Sequence, residues 1–223
     1  MLQLQDAAEE TRKFLSDHES MERAVAAAFL RAVGVKFCCR EVEKIKDAQA
    51  PDVRFRGAAF EVCTAFEPGR RPQAEWREKT DRLRAATSLE DLSLEIPRGR
   101  MSTPKAAFGG KLSHESVARL AATKLAKKAT RYGPTTCASF DALIYVNHRA
   151  HFDQASPLPP SEVLAELATQ GWRSVSAFTW PVGWVISASP AAPEWLQQLV
   201  GPAKDEGDSP LRTNIFRLDD DEE

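Results

Sequence analysis

At 223 residues with 43% apolar content the chain can bury one sizeable core, so a single domain over residues 1–200 is expected, followed by an acidic, partly disordered tail over 201–223. With no apolar run of about 18 residues, and a start (MLQLQDAAEETRKF) too polar for a secretory signal, neither a membrane span nor export is expected, and the cytoplasm is the expected location. The formal charge of −2 conceals an asymmetry: residues 204–223 carry −5, residues 1–203 carry +3, and the stretch 97–133 alone carries +8. In chain order, Ser16, Asp17, His18 and Glu19 read as a capping box that opens a helix to about Val33, with Gly34 stopping it. At 100° per residue Val25, Phe29, Leu30 and Val33 form one apolar stripe, and Glu22 falls at its centre near the N-terminal end. An acid placed there either faces the sheet or interacts with the helix N-terminus. Residues 35–42 read as the first strand.

The next segment carries the chemistry. Val53 and Phe55 alternate with Asp52 and Arg54, then Phe60 and Val62 alternate with Glu61 and Cys63, which is the period of two expected of strands. A two-residue turn at Arg56 and Gly57 sets Asp52 opposite Glu61 on one face, with Cβ atoms about 5 Å apart. Like charges there repel. A divalent cation, Mg²⁺ or Mn²⁺, held by both would turn that penalty into a site, whereas the plain alternative is an exposed hairpin with solvated acids.

Residues 73–86 read as a charged helix with Trp76 and Leu83 on one side, and residues 87–112, with Pro97, Gly99, Pro104, Gly109 and Gly110, as irregular. Ser113 can cap a second long helix, its Val117, Leu120, Ala121 and Leu125 turned inward and Lys124, Lys127, Lys128 and Arg131 in solvent. Residues 140–147 are nearly all apolar, as in a strand covered on both faces. A helix over 160–170, a strand pair over 172–178 and 182–187, and a short helix over 194–199 follow. The sum is an α/β fold: a central mixed sheet flanked by helices, with an α-β-β-β-α-β core, a C-terminal strand pair and a short helix.

Between 97 and 133 nine bases face one acid, Glu115. Such clustering suits a phosphate backbone, whose neutralisation releases counterions; a solvated helix face is the alternative. Lys111, Lys124, Lys127, Lys128 and Arg131 are the candidate contacts. His148, His151 and Asp153 match no zinc signature and read as ordinary loop residues. Cys38, Cys39, Cys63 and Cys137 form no CxxC pair and read as reduced thiols, and no family signature of a thiol nucleophile surrounds Cys63.

Pro51, Asp52, Glu61, Val62 and Cys63 resemble the PD-(D/E)xK nuclease motif, with Cys63 standing where the motif has lysine. Taken with Gly69-Arg70-Arg71, Glu75-Trp76-Arg77-Glu78 and Gln170-Gly171-Trp172-Arg173-Ser174, the chain from about residue 8 to about residue 200 is similar to an uncharacterised bacterial family of predicted endonucleases, a domain of unknown function. The resemblance implies a restriction-endonuclease-like core and Mg²⁺- or Mn²⁺-dependent hydrolysis of phosphodiester bonds in nucleic acid, DNA being the expected form. It implies Asp52 and Glu61 as metal ligands, the Val62 carbonyl as a further one, and Glu22 assisting from the first helix. The cation that Cys63 lacks would come from Arg70, Arg71 or Lys79, and Arg71 would also meet nucleic acid. The alternative is a catalytically inactive nuclease-fold protein that binds nucleic acid or a protein partner. A homodimer is compatible with either.

Overall fold

The computed structural model describes residues 18–45, 51–66, 81, 110–148 and 150–202. Helix α1, His18–Ala32, buries Val25, Phe29 and Leu30 completely. It ends where Gly34 takes φ +76°, with Val35 N bonded to Leu30 O and Gly34 N to Arg31 O, both at 2.9 Å, a termination that satisfies the last carbonyls of the helix. The residues that would open this helix, Ser16 and Asp17, lie outside the described residues.

The expected strand over 35–42 does not form. Residues 35–38 carry no ladder, a 3₁₀ turn occupies Cys39–Glu41, and strand β1 is only Glu43–Lys44. The reason is competition for the backbone. Glu41 Oε2 accepts from Cys38 N at 2.7 Å, and the Arg23 guanidinium donates to the Val42 and Cys39 carbonyls, each at 2.9 Å, so polar groups a ladder would need are taken locally and by α1.

The hairpin forms as the alternation requires. Strand β2, Val53–Phe55, pairs antiparallel with β3, Ala58–Phe66, in the register Val53 to Phe60, Arg54 to Ala59 and Phe55 to Ala58. Arg56 (φ +41°) and Gly57 (φ +79°) make the two-residue turn, both in the left-handed region that matches strand twist. Arg56 is held there by bonds to the Glu41 carboxylate at 2.8 and 3.0 Å and by Trp195 Nε1, which donates to its carbonyl at 3.1 Å.

Strand β4, Lys111–Leu112, precedes helix α2, His114–Tyr132, which Ser113 caps by accepting from Ser116 N at 3.1 Å. A short α3, Pro134–Cys137, leads to β5, Asp141–Asn147, then β6, His151–Phe152, α4, Ser161–Thr169, β7, Ser174–Thr179, β8, Val182–Ala188, and α5, Glu194–Gln197. Six strands form one sheet in the order β1-β2-β3-β5-β7-β8, parallel at β3–β5 and β5–β7 and antiparallel elsewhere. Strands β4 and β6 form a separate parallel pair, unforeseen because two residues are too few to show a period.

The sheet is covered on both faces. Phe60 and Val62 join Phe29, Leu30, Phe55, Leu143 and Phe178 beside α1, while Cys63 and Ala65 join Val117, Ala121, Leu125 and Ile144 beside α2. Even-numbered positions of β3 therefore look to α1 and odd-numbered positions to α2. Glu61 is odd-numbered, and what α2 offers at that level decides its surroundings.

Candidate active site

Continuing the hairpin register one step beyond Val53 and Phe60 sets Asp52 against Glu61. Asp52 is fastened there by Val62 N, which donates to its Oδ2 at 2.8 Å. Glu61 is 3% exposed, an acid almost sealed from water. Its Oε1 accepts from Lys128 Nζ and from Tyr132 OH, the latter at 2.9 Å, and Lys128 Nζ lies 3.3 Å from the Val62 carbonyl. Both donors come from α2, four residues apart, hence one above the other on the same helix face.

On the α1 side, Glu22 pairs with Lys44 of β1, and the same ammonium stands 4.0 Å from Asp52 Oδ1. Asp52 thus lies between two other acids. Burial, then the charges of Glu61 and Glu22, push its carboxyl up to about 6, against the pull of the Val62 amide and of Lys128. Burial opposes the Lys128 ammonium, but its hydrogen bond to Glu61 and the charges of Glu61 and Asp52 hold it above the usual lysine range; a charge on Cys63 adds to this only at high pH, because burial pushes that thiol up to about 11. Burial and the bond to Glu61 push the Tyr132 phenol up to about 12. At neutral pH the cluster holds a charged lysine, a neutral phenol and a neutral thiol.

A second buried acid sits at the start of β5. Asp141 is 0% exposed and accepts from Ala59 N at 2.8 Å, Ser174 Oγ at 2.8 Å, Arg173 Nε at 3.2 Å and Arg173 Nη2. Arg173 Nη2 also donates to the Gly57 carbonyl at 3.0 Å, tying the hairpin turn to β5 and β7.

Of the sequence-predicted residues, Glu22, Asp52 and Glu61 come together. Lys128, expected in solvent with the other bases, instead turns inward, its side chain 32% exposed and its ammonium on Glu61. The signal was present: relative to Leu125, Lys128 lies about 60° and Tyr132 about 20° around the helix, both on the buried stripe. Lys44 and Tyr132 also belong to this cluster, and the sequence pattern did not single them out. Lys124, Lys127 and Arg131 are exposed on α2, with the Arg131 guanidinium 5.7 Å from the Tyr132 ring centroid. Lys111 lies on β4, ion-paired to Asp153 at 3.4 Å, with no bond to this cluster. Arg70, Arg71 and Lys79 fall outside the described residues. Among the described residues no three His, Cys, Asp or Glu side chains gather in a metal-binding arrangement, and Glu22, close enough to raise the Asp52 carboxyl, is ion-paired to Lys44. Nor is any described helix long and apolar enough to cross a membrane.

The fold and this cluster define an α/β protein whose mixed sheet carries one buried and one partly buried acid and a lysine where the hairpin meets the crossover helix. The chain belongs to the family described as "Putative endonuclease, protein of unknown function (DUF1780)", whose model matches residues 1–206. A solved structure of a protein of unknown function from Pseudomonas aeruginosa strain PAO1, described as of the monooxygenase superfamily, is 24% identical, covering 96% of this chain and 95% of that one with a TM-score of 0.61. At that identity the likeness concerns the fold alone. No curated protein matches the chain.

Proposed function

We propose that the protein is a metal-dependent nuclease hydrolysing phosphodiester bonds of nucleic acid, DNA being the expected substrate, with Asp52 and Glu61 as the metal-holding carboxylates. The observation that carries this reading is the meeting of Asp52 with Glu61 and Glu22 at one spot largely withdrawn from water, where burial and then the two neighbouring charges push Asp52 up to about 6. Carboxylate oxygens in that arrangement are a donor set for a hard cation such as Mg²⁺ or Mn²⁺, which takes one or two carboxylates and keeps its remaining positions for water and phosphate. Such a cation, when bound, lowers the pKa of water and offsets charge on a reacting phosphate. The chain's own residues do the rest. The Val62 amide fixes the direction of Asp52, Tyr132 and Lys128 fix Glu61 through one oxygen, and Lys44 holds Glu22 at the rim. Lys124, Lys127 and Arg131, on the same helix as Lys128, are positioned to follow a phosphate backbone beyond the site. The family's description as endonucleases supports this reading.

Cleavage of single- and double-stranded DNA and of RNA, measured with Mg²⁺ or Mn²⁺ for the wild type, Asp52→Ala and Glu61→Ala, tests it. Metal-dependent cutting that both substitutions reduce at least about 10³-fold is expected. Activity that survives both removes these acids from the chemistry. Salt-sensitive binding with neither metal requirement nor cleavage identifies a non-catalytic nucleic-acid-binding protein instead.

A further inference from the structure

We infer that Lys128, reaching in from α2, is the cation of the Asp52–Glu61 site and occupies the space that a lysine at position 63 would fill. This rests on the nuclease reading above. Position 63 follows Glu61 by two residues on β3, so its side chain leaves the same face of the sheet toward α2. A lysine there would extend its ammonium along that face, beside Glu61. The residue present is a cysteine, small and buried. The room it leaves is where Lys128 arrives: Nζ touches Glu61 Oε1, stands 3.3 Å from the Val62 carbonyl and comes close enough to Cys63 to act on its thiol.

Two ammonium groups could not share that space, so a compact residue at 63 and an inward lysine at 128 are halves of one arrangement. With its side chain 32% exposed, Lys128 can also meet an incoming phosphate. Glu61 Oε1 takes both Lys128 and Tyr132. Arg70, Arg71 and Lys79 are then not required as the source of this charge.

The test uses the full chain as wild type, Lys128→Met, Cys63→Lys and Cys63→Lys/Lys128→Met, the methionine keeping the unbranched stem so that packing is retained. Two readouts are taken: steady-state cleavage of a labelled duplex with Mg²⁺ or Mn²⁺, and the metal-free titration of Asp52 followed by carboxyl ¹³C NMR. Lys128→Met is expected to lower kcat about 100-fold or more with KM within about threefold, and to move the Asp52 midpoint upward, because a neighbouring positive charge is gone. The double variant is expected to recover at least about tenfold in kcat and to return the Asp52 midpoint toward the wild-type value. A cleaving wild type with an equally fast Lys128→Met overturns the role given to Lys128 and leaves the nuclease reading standing. A wild type that cuts nothing with either metal overturns the nuclease reading, and the catalytic role of Lys128 with it. A double variant that titrates like wild type but does not regain cleavage overturns the equivalence of the two positions.

Discussion

Two acid clusters lie on the same sheet, and they are built to opposite specifications. Asp141 is fully buried and surrounded by donors: a backbone amide, a serine hydroxyl and both arms of the Arg173 guanidinium, with four hydrogen bonds on its two oxygens. Among the described residues the Asp52 carboxylate receives one hydrogen bond, from Val62 N, with the Lys44 ammonium 4.0 Å away, and it faces two other carboxylates. A buried charge with its full set of donors fixes architecture, and here it locks the hairpin turn through Gly57. A partly satisfied charge pressed against like charges is costly to the fold, and the cost has a use only if a ligand relieves it.

The widest separation between the two clusters should come from removing Asp141. Asp141→Ala leaves Arg173 and the Ala59 amide without their partner and should cost about 3–5 kcal/mol in urea unfolding; a loss below about 1 kcal/mol would put the two acids in the same category. Asp52→Asn should act in the other direction. The native carboxyl holds its proton up to about pH 6, the unfolded one only to about 3.8, so the native state binds the extra proton between those values and wild-type stability falls as pH rises through that window. The asparagine variant, still able to accept from Val62 N, should gain about 2 kcal/mol above pH 6 and nothing below about pH 4, while losing cleavage. Equal pH profiles for variant and wild type would show that Asp52 is not under electrostatic pressure. The smallest effect belongs to Tyr132→Phe, which removes one of the two donors on Glu61 Oε1 and should reduce kcat by about fivefold, corresponding to about 1 kcal/mol.

The Gln170-Gly171-Trp172-Arg173-Ser174 segment illustrates how a motif and its purpose part company. As sequence it contributed to a resemblance to nucleases, yet in the fold its Arg173 and Ser174 serve the Asp141 clamp and not the Asp52 cluster. The stretch 35–42 erred for a similar reason: its β-compatible residues were outcompeted by the Glu41 and Arg23 side chains, and nothing in the local pattern announces a partner on another helix.

What the sequence by itself determined is the hairpin. The alternation of Val53, Phe55, Phe60 and Val62 and the Arg56-Gly57 turn are local constraints, and a period of two with a two-residue loop leaves a single register, the one that opposes Asp52 and Glu61. The helix boundaries around Ser113 and Gly34 were legible on the same terms, since caps are local too. Which charges meet those acids was decided only in three dimensions. The parallel β3–α2–β5 crossover lays α2 over the odd-numbered face of β3, and this long-range packing, not the composition of the basic run, turns Lys128 and Tyr132 toward Glu61 while Lys124 and Lys127 remain in water.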